Sequence, residues 1–397
     1  MKKFTLAILL FILGFCIITK AQNNLPGLSK NGQAIPITTA VPFLSIVPDA
    51  RSGAMGDAGI ATTPDVNASY HNLAKLALVD KPIGVSINYV PWLRSLVKDI
   101  HMAHVTGYYK FKEDQAISAS LKYFSLGQIQ FTDINGNETG QFKPNEFAFD
   151  LGYSRLLGKG FSTGLALRFI YSNLAAGQVT SGVTAQPALG AAADITFYYE
   201  KDIKVGDLNS KLSLGLVFND IGSKITYTQS TVRDFIPMRM GLGGGYHIDV
   251  DDYNRISIVA DAKKLLVPTP SDIDEDGNGI YDYREKSVPA GLFGSFADAP
   301  GGGQEELQEI YYSLGLEYWY DKQFAVRAGY FHENRFKGNR KFVTVGVGLR
   351  YSVFGIDFSY LVPTNAVRNP LDNTFRFSLI FDFESFGAET QQATPVD

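Results

Sequence analysis

The sequence predicts an all-β fold: a transmembrane antiparallel β-barrel of about fourteen strands, closed around an N-terminal luminal segment. Three observations predict it. Large apolar residues alternate with small or polar ones at a period of two over most of the chain. The connections between these runs are short on one side and long on the other, as in outer-membrane barrels. The chain also opens on an export signal.

That signal is residues 1–21. Lys2 and Lys3 precede an apolar run from Phe4 to Ile18, too short to span a bilayer, and Ala21 offers a small residue for cleavage before Gln22. The single cysteine, Cys16, lies inside this run behind the bulky Phe15, which does not suit lipoprotein processing. Once the leader is removed no thiol remains, so disulfides, thiolate metal sites and cysteine nucleophiles are excluded. The leader takes three of the 36 basic residues and none of the 40 acidic ones, so the mature charge becomes 33 minus 40, or −7. Phosphate contacts need clustered Lys and Arg, so an acidic exported chain has no nucleic-acid partner.

Residues 22–80 form no spanning strand. They contain FLSIVPDARSGAMGDAGIATTPDVNASYHNLAKLAL, residues 43–78, where Gly53, Gly56 and Gly59 permit tight turns and close backbone approach. A short helix is expected over 67–76. The segment reads as a plug or hatch that fills the lumen of a barrel spanning 81–386.

The barrel itself is written in alternation. In TFRFSLIFDF, residues 374–383, one face carries Phe375, Phe377, Leu379, Phe381 and Phe383, and the other Arg376, Ser378, Ile380 and Asp382. Val343, Val345, Val347 and Leu349 alternate in the same way with Thr344, Gly346, Gly348 and Arg350. Leu165, Leu167 and Phe169 oppose Ala166 and Arg168, and Leu212, Leu214 and Leu216 oppose Ser213 and Gly215. A soluble sandwich also alternates, but its second face packs into a core. Here that face is Gly, Ser, Thr, Arg and Asp, which suits a wet or plugged lumen.

With strand one at 83–92, short links are expected near 112–114, 157–160, 201–209, 250–253, 321–322 and 352–353. Long ones are expected near 133–145, 174–186, 222–238, 267–309 and 363–373. A soluble fold has no reason for this asymmetry. The aromatic face therefore meets outer-membrane lipid and lipopolysaccharide. The long loops are expected outside the cell, and both chain ends, including a tail over 387–397, in the periplasm.

One motif carries metal chemistry. In DEDGNGIYDYRE, residues 274–285, Asp274, Asp276 and Asn278 occupy positions one, three and five of an EF-hand-type loop. Gly279 makes the turn, Ile280 lends its carbonyl, Asp282 stands at nine and Glu285 at twelve. The expectation is a Ca²⁺ ion ordering the long 267–309 loop. Other signals are weak. Gly160-Phe-Ser162-Thr-Gly164 spells G-x-S-x-G, but a turn precedes it and a strand follows, whereas the nucleophile elbow needs a strand and then a helix. His101 and His104 fall on opposite faces of one strand, and His71, His247 and His332 have no ligand-spaced partner. Gly241–Gly245 marks a bend or a close approach of the plug. No active site emerges, and the chain reads as no enzyme.

The run Asp49-Ala50-Arg51, Met55-Gly56, Ala58-Gly59, Ala61-Thr62, followed by Asp65, Ala68, Tyr70, Asn72 and Ala74, resembles the start of the FadL-like outer-membrane barrels. It is most similar to the PorV/PorQ branch that serves the type IX secretion system. Leu73 departs from that pattern, which has proline there. The resemblance implies a fourteen-stranded barrel that works as a shuttle. Such a barrel binds the C-terminal signal domains of cargo at a very large SprA/Sov-type translocon and delivers them to a PorU-type sortase at the surface. The alternative it implies is a FadL-like transporter of hydrophobic small molecules.

Overall fold

The computed structural model describes residues 36–92, 99–132, 135–175, 177–180, 183–229, 232–364 and 374–384. The expected signal peptide and C-terminal tail lie outside them. Fourteen strands close into one antiparallel barrel, each paired with its sequence neighbours. They are β1 (Ile83–Pro91), β2 (Ile100–Lys112), β3 (Gln115–Leu126), β4 (Asn145–Gly158), β5 (Phe161–Asn173), β6 (Ala188–Val205) and β7 (Leu208–Gly222). The second half comprises β8 (Arg239–Asp249), β9 (Asn254–Leu265), β10 (Tyr311–Tyr320), β11 (Phe324–His332), β12 (Lys341–Tyr351), β13 (Phe354–Pro363) and β14 (Phe375–Phe383). Closure is made by β1 against β14, from Ile83 opposite Phe383 to Tyr89 opposite Phe377. No barrel edge remains, as a sheet in hydrocarbon requires.

The alternation resolves as expected. On β14, Phe377 and Leu379 face outward while Arg376, Ser378 and Ile380 are buried. Cross-strand aromatic pairs line the outer face, including Phe354 with Phe381, Phe358 with Phe377 and Tyr360 with Phe375. The inner face is polar because it meets a second layer of protein. Two boundaries differ from expectation, and the first is that the long link after β3 begins at 127 and carries its own two-stranded hairpin, Ile129–Thr132 with Glu138–Phe142. The link after β6 is the two-residue turn 206–207, since β6 and β7 stay paired as far as Val205 and Leu208. Lys201, Asp202 and Lys204 read as loop, yet charged residues at a strand end can stay in the ladder, and Lys211 there pairs with Glu200 at 2.7 Å. The turn after β10 has no glycine, unlike the Gly206-Asp207 turn: Asp321 and Lys322 both take positive φ (51° and 54°), the sign of φ that a type I′ turn needs.

The plug runs the full height of the barrel. Ile37, Ala40, Val41, Phe43 and Leu44 pack among Val90, Met102, Phe124, Leu266 and Val267, at the end that carries the long loops. The Ala40 N–H also donates to the carbonyl of Phe235 in the β7–β8 loop, 2.9 Å away. At the opposite end Val66, Leu73, Leu76 and Val79 pack against Tyr108, Ala116, Ala166 and Ile380. The expectation that both chain ends share the short-turn side concerns residues outside those described. The first described ones lie at the long-loop end.

Candidate functional site

The plug is fixed by polar contacts that its sequence motif supplies. Asp49 caps the turn Ala50–Gly53, accepting from the Ser52 N–H at 2.7 Å, and meets His71 Nε2 at 2.6 Å. The Ala50 N–H donates to Ser378 Oγ at 2.8 Å, tying the cap to β14. Arg51 grips Glu317 of β10 in a bidentate fork, 2.9 and 2.7 Å, and reaches Asp65 at 2.9 Å. The chain of alternating charge continues from Glu317 to Arg327 at 2.7 Å, then to Asp357 at 2.8 Å, which also takes Arg350 at 2.7 Å. Plug, β10, β11, β12 and β13 thus share one buried ion network.

Backbone groups of the plug find partners on the other strands. Gly56 N–H donates to Thr344 Oγ1 at 2.8 Å, and Gly59 N–H to Asp261 at 2.8 Å. Asn72 Nδ2 donates to the carbonyls of Ile60 and Phe197, and Ala74 N–H to Thr196 Oγ1. Lys122 of β3 donates to the Leu44 and Ile46 carbonyls and stands 4.4 Å over the Tyr70 ring. Such pairing is what irregular backbone at membrane depth requires.

The glycines expected to permit close approach do so. A Cβ on Gly329 of β11 would stand 2.1 Å from the Gly56 nitrogen, and Gly56 itself has φ +65°. Gly243 and Gly245 of β8 lie under Ile60 and Ala61, where any Cβ would come within 2.7 Å of plug atoms. The G-x-S-x-G serine donates to the Ala74 carbonyl at 2.8 Å, so Ser162 helps to hold the plug. The expected helix over 67–76 is broken at Asn72 (φ −157°, ψ 94°) into Ala68–His71 and a 3₁₀ turn Leu73–Leu78. That extended geometry is the one a following proline favours, and Leu73 keeps it while packing its side chain against Gly152.

Outside the barrel the β9–β10 insert, 266–310, carries the expected calcium motif. Its turn has formed: Asn278 and Gly279 N–H donate to Asp274, Ile280 N–H to Asn278 Oδ1, and Glu275 N–H to Asp282 Oδ1. Asn278 Nδ2 reaches Asp276 and Glu285, and Asp282–Glu285 is a helical turn. Among the described residues, however, no three His, Cys, Asp or Glu side chains are gathered closely enough to hold a metal. The loop register is that of the motif, without convergence of Asp274, Asp276, Asp282 and Glu285 on one point. His104 hydrogen-bonds Asn88 inside the barrel, whereas His101 lies beside Tyr89 and Tyr123.

One cluster at the insert's base was not anticipated from sequence. Lys264 at the end of β9 pairs with Glu306 at 2.9 Å and with Glu309. Lys337, from the β11–β12 loop, pairs with Glu305 at 2.5 Å and Glu309 at 2.9 Å, and Thr269 donates to Glu309 at 2.7 Å. The signal was three glutamates at spacings of one and three just before β10, with a lysine closing β9. A second tie joins the insert to the β7–β8 loop: Arg284 pairs with Asp234 at 2.8 Å, and Lys224 donates to the Arg284 carbonyl at 2.6 Å. Burial depresses the Lys224 ammonium and raises the Asp298 carboxyl, although Lys286 stands 3.3 Å from the latter.

The sequence matches the family described as Type IX secretion system protein PorV over residues 29–272, more than half the chain. Curated protein sequences return no match. Among solved structures it is similar to the toluene transporter TodX of P. putida, with 11% identity over 85% of this chain and 99% of that one, TM-score 0.48. The toluene transporter TbuX of Ralstonia pickettii gives 12% identity, 84% and 98% coverage and a TM-score of 0.46. A FadL homologue of Pseudomonas aeruginosa gives 11%, 88% and 100%, and 0.42.

Proposed function

The chain belongs to the family of the type IX secretion system protein PorV, and from that premise we propose that it works as a docking and shuttle barrel. It is an outer-membrane component of that secretion system. In this reading its long loops face outward, take the C-terminal signal domain of cargo emerging from a very large SprA/Sov-type translocon, and pass it to a PorU-type sortase. The observation that supports a shuttle over a conduit is the plug, which hydrogen-bonds across the lumen to strands on every side. Among the described residues every barrel strand is paired on both sides, with a register shift inside the wall at Ala193–Ile195 of β6. A lumen cavity of about 90 Å³ is lined in part by Tyr70, Arg239, Lys263 and Phe331, and a larger one of about 750 Å³ opens at the short-turn end, lined in part by Asp80, Glu200, Lys211, His247 and Arg255. The first is smaller than the roughly 150 Å³ that admits benzene in an apolar core, and the second is walled largely by charged and polar side chains. A hydrophobic solute would therefore have to displace the plug, which disfavours the transporter alternative.

The test is mild detergent extraction of the native outer membrane, affinity capture of this barrel and mass spectrometry. Recovery of a very large barrel with multidomain proteins that share one C-terminal domain is expected. Recovery of the barrel alone with bound hydrocarbon would overturn the reading.

A further inference from the structure

Loops that do nothing are seldom immobilised. The β9–β10 insert is held at its base by the Lys264, Lys337 and three-glutamate cage, whose side chains are almost fully buried. It is held laterally by the ties from Arg284 and Lys224 to the β7–β8 loop, and Val288 and Leu292 pack into the barrel mouth. Ordering it has a cost in chain entropy, and burying the ions has a cost in hydration.

Yet this ordered insert turns apolar side chains to solvent. Phe293 is 74% exposed, Leu307 66%, Ile273 52% and Phe296 47%. Outside the barrel strands and short turns, the next most exposed large apolar side chains among the described residues are Tyr281, also in the insert, and Ile129. These rings lie in a segment beyond the barrel ladder, so the lipid that covers the strand faces does not explain them. Exposed, fixed aromatic side chains mark a surface that something covers.

Charge says what covers it. The insert has ten acidic and two basic residues, and Glu305, Glu306 and Glu309 are taken up by the cage. Seven acids against two bases leaves the insert that carries the exposed rings a surplus of five negative charges. An anionic membrane surface attracts basic segments and repels this one. A protein surface with an apolar pocket inside a basic rim complements it.

We propose that the tip of the β9–β10 insert is a docking surface for such a protein, with Phe293 and Phe296 as the anchors and the acidic turn at Asp274 and Asp276 steering the approach. This rests on the shuttle reading, under which the partner is the signal domain of the cargo. Fixing the anchors beforehand spares the ordering cost at binding.

The experiment uses the full-length barrel in nanodiscs and a purified type IX cargo C-terminal domain, with affinity read by fluorescence anisotropy. The double substitution Phe293→Ser, Phe296→Ser is expected to weaken binding about tenfold or more. Asp274→Asn with Asp276→Asn is expected to weaken it several-fold and to flatten its salt dependence. Heat-modifiable migration on gels confirms that each variant keeps its barrel. Wild type and phenylalanine variant binding equally would overturn the assignment while leaving the shuttle reading intact. No binding by wild type would remove the shuttle reading and this assignment with it. Loss, in the double variant, of nanodisc association with lipopolysaccharide vesicles would instead assign the rings to the membrane.

Discussion

The plug and the β9–β10 insert are both irregular, charge-rich segments tied to the barrel by buried ion pairs, and they differ in where their apolar side chains go. In the plug, Phe43, Met55, Ile60 and Leu76 are all buried to 2% exposure or less. In the insert, Phe293 and Leu307 are left in solvent. The first pattern completes a fold, whereas the second leaves a surface unfinished. Buried ion pairs alone therefore do not tell a structural segment from a working one; the fate of the neighbouring apolar groups does.

Breaking the plug's anchorage should have the largest effect. Glu317→Ala leaves buried Arg51 with Asp65 and buried Arg327 with Asp357 as their remaining carboxylates, and removal of one partner from such a network costs about 3–5 kcal/mol. A marked fall in the urea midpoint of the folded barrel is expected, and Glu317→Gln should fall less. An unchanged midpoint would mean that the plug is held by other contacts. Lys337→Ala should act locally instead. It is expected to release the insert to protease while the barrel midpoint stays near wild type, because the cage lies at the base of a loop. If the midpoint fell as far as in Glu317→Ala, the two segments would belong to one cooperative unit.

Gly329→Ala drives a methyl into the plug backbone at Gly56 and should cost about 1–3 kcal/mol by overpacking. Phe293→Ser should lie within about 0.5 kcal/mol of wild type in stability, since the ring is exposed. The smallest expected effect concerns calcium. With the motif in register, millimolar Ca²⁺ is expected to slow cleavage near Gly277 and Gly279 in wild type and not in Asp274→Asn, Glu285→Gln. Equal cleavage rates would remove calcium from consideration.

Strand count, closure and the asymmetry of the loops were legible because lipid outside and protein inside impose opposite demands on successive residues, as Phe377 and Ser378 show. The plug was legible as a plug because Gly241–Gly245 and Gly56 leave room that no sandwich core would need. What could not be read were pairings between residues distant in sequence. Arg51 with Glu317 and Lys264 with Glu309 join positions whose proximity depends on barrel register and loop fold, and nothing local announces them. The end of β6 was misplaced for a related reason: charge resembles a loop unless the height of the bilayer is known.

The most direct test of a closed docking scaffold is electrical. Purified barrel is placed in a planar lipid bilayer and single-channel current is recorded before and after Glu317→Ala. Silence from wild type, with openings only in the variant whose plug anchorage is broken, is the expected result. Steady openings from wild type, modulated by added hydrocarbon, would make the molecule a conduit.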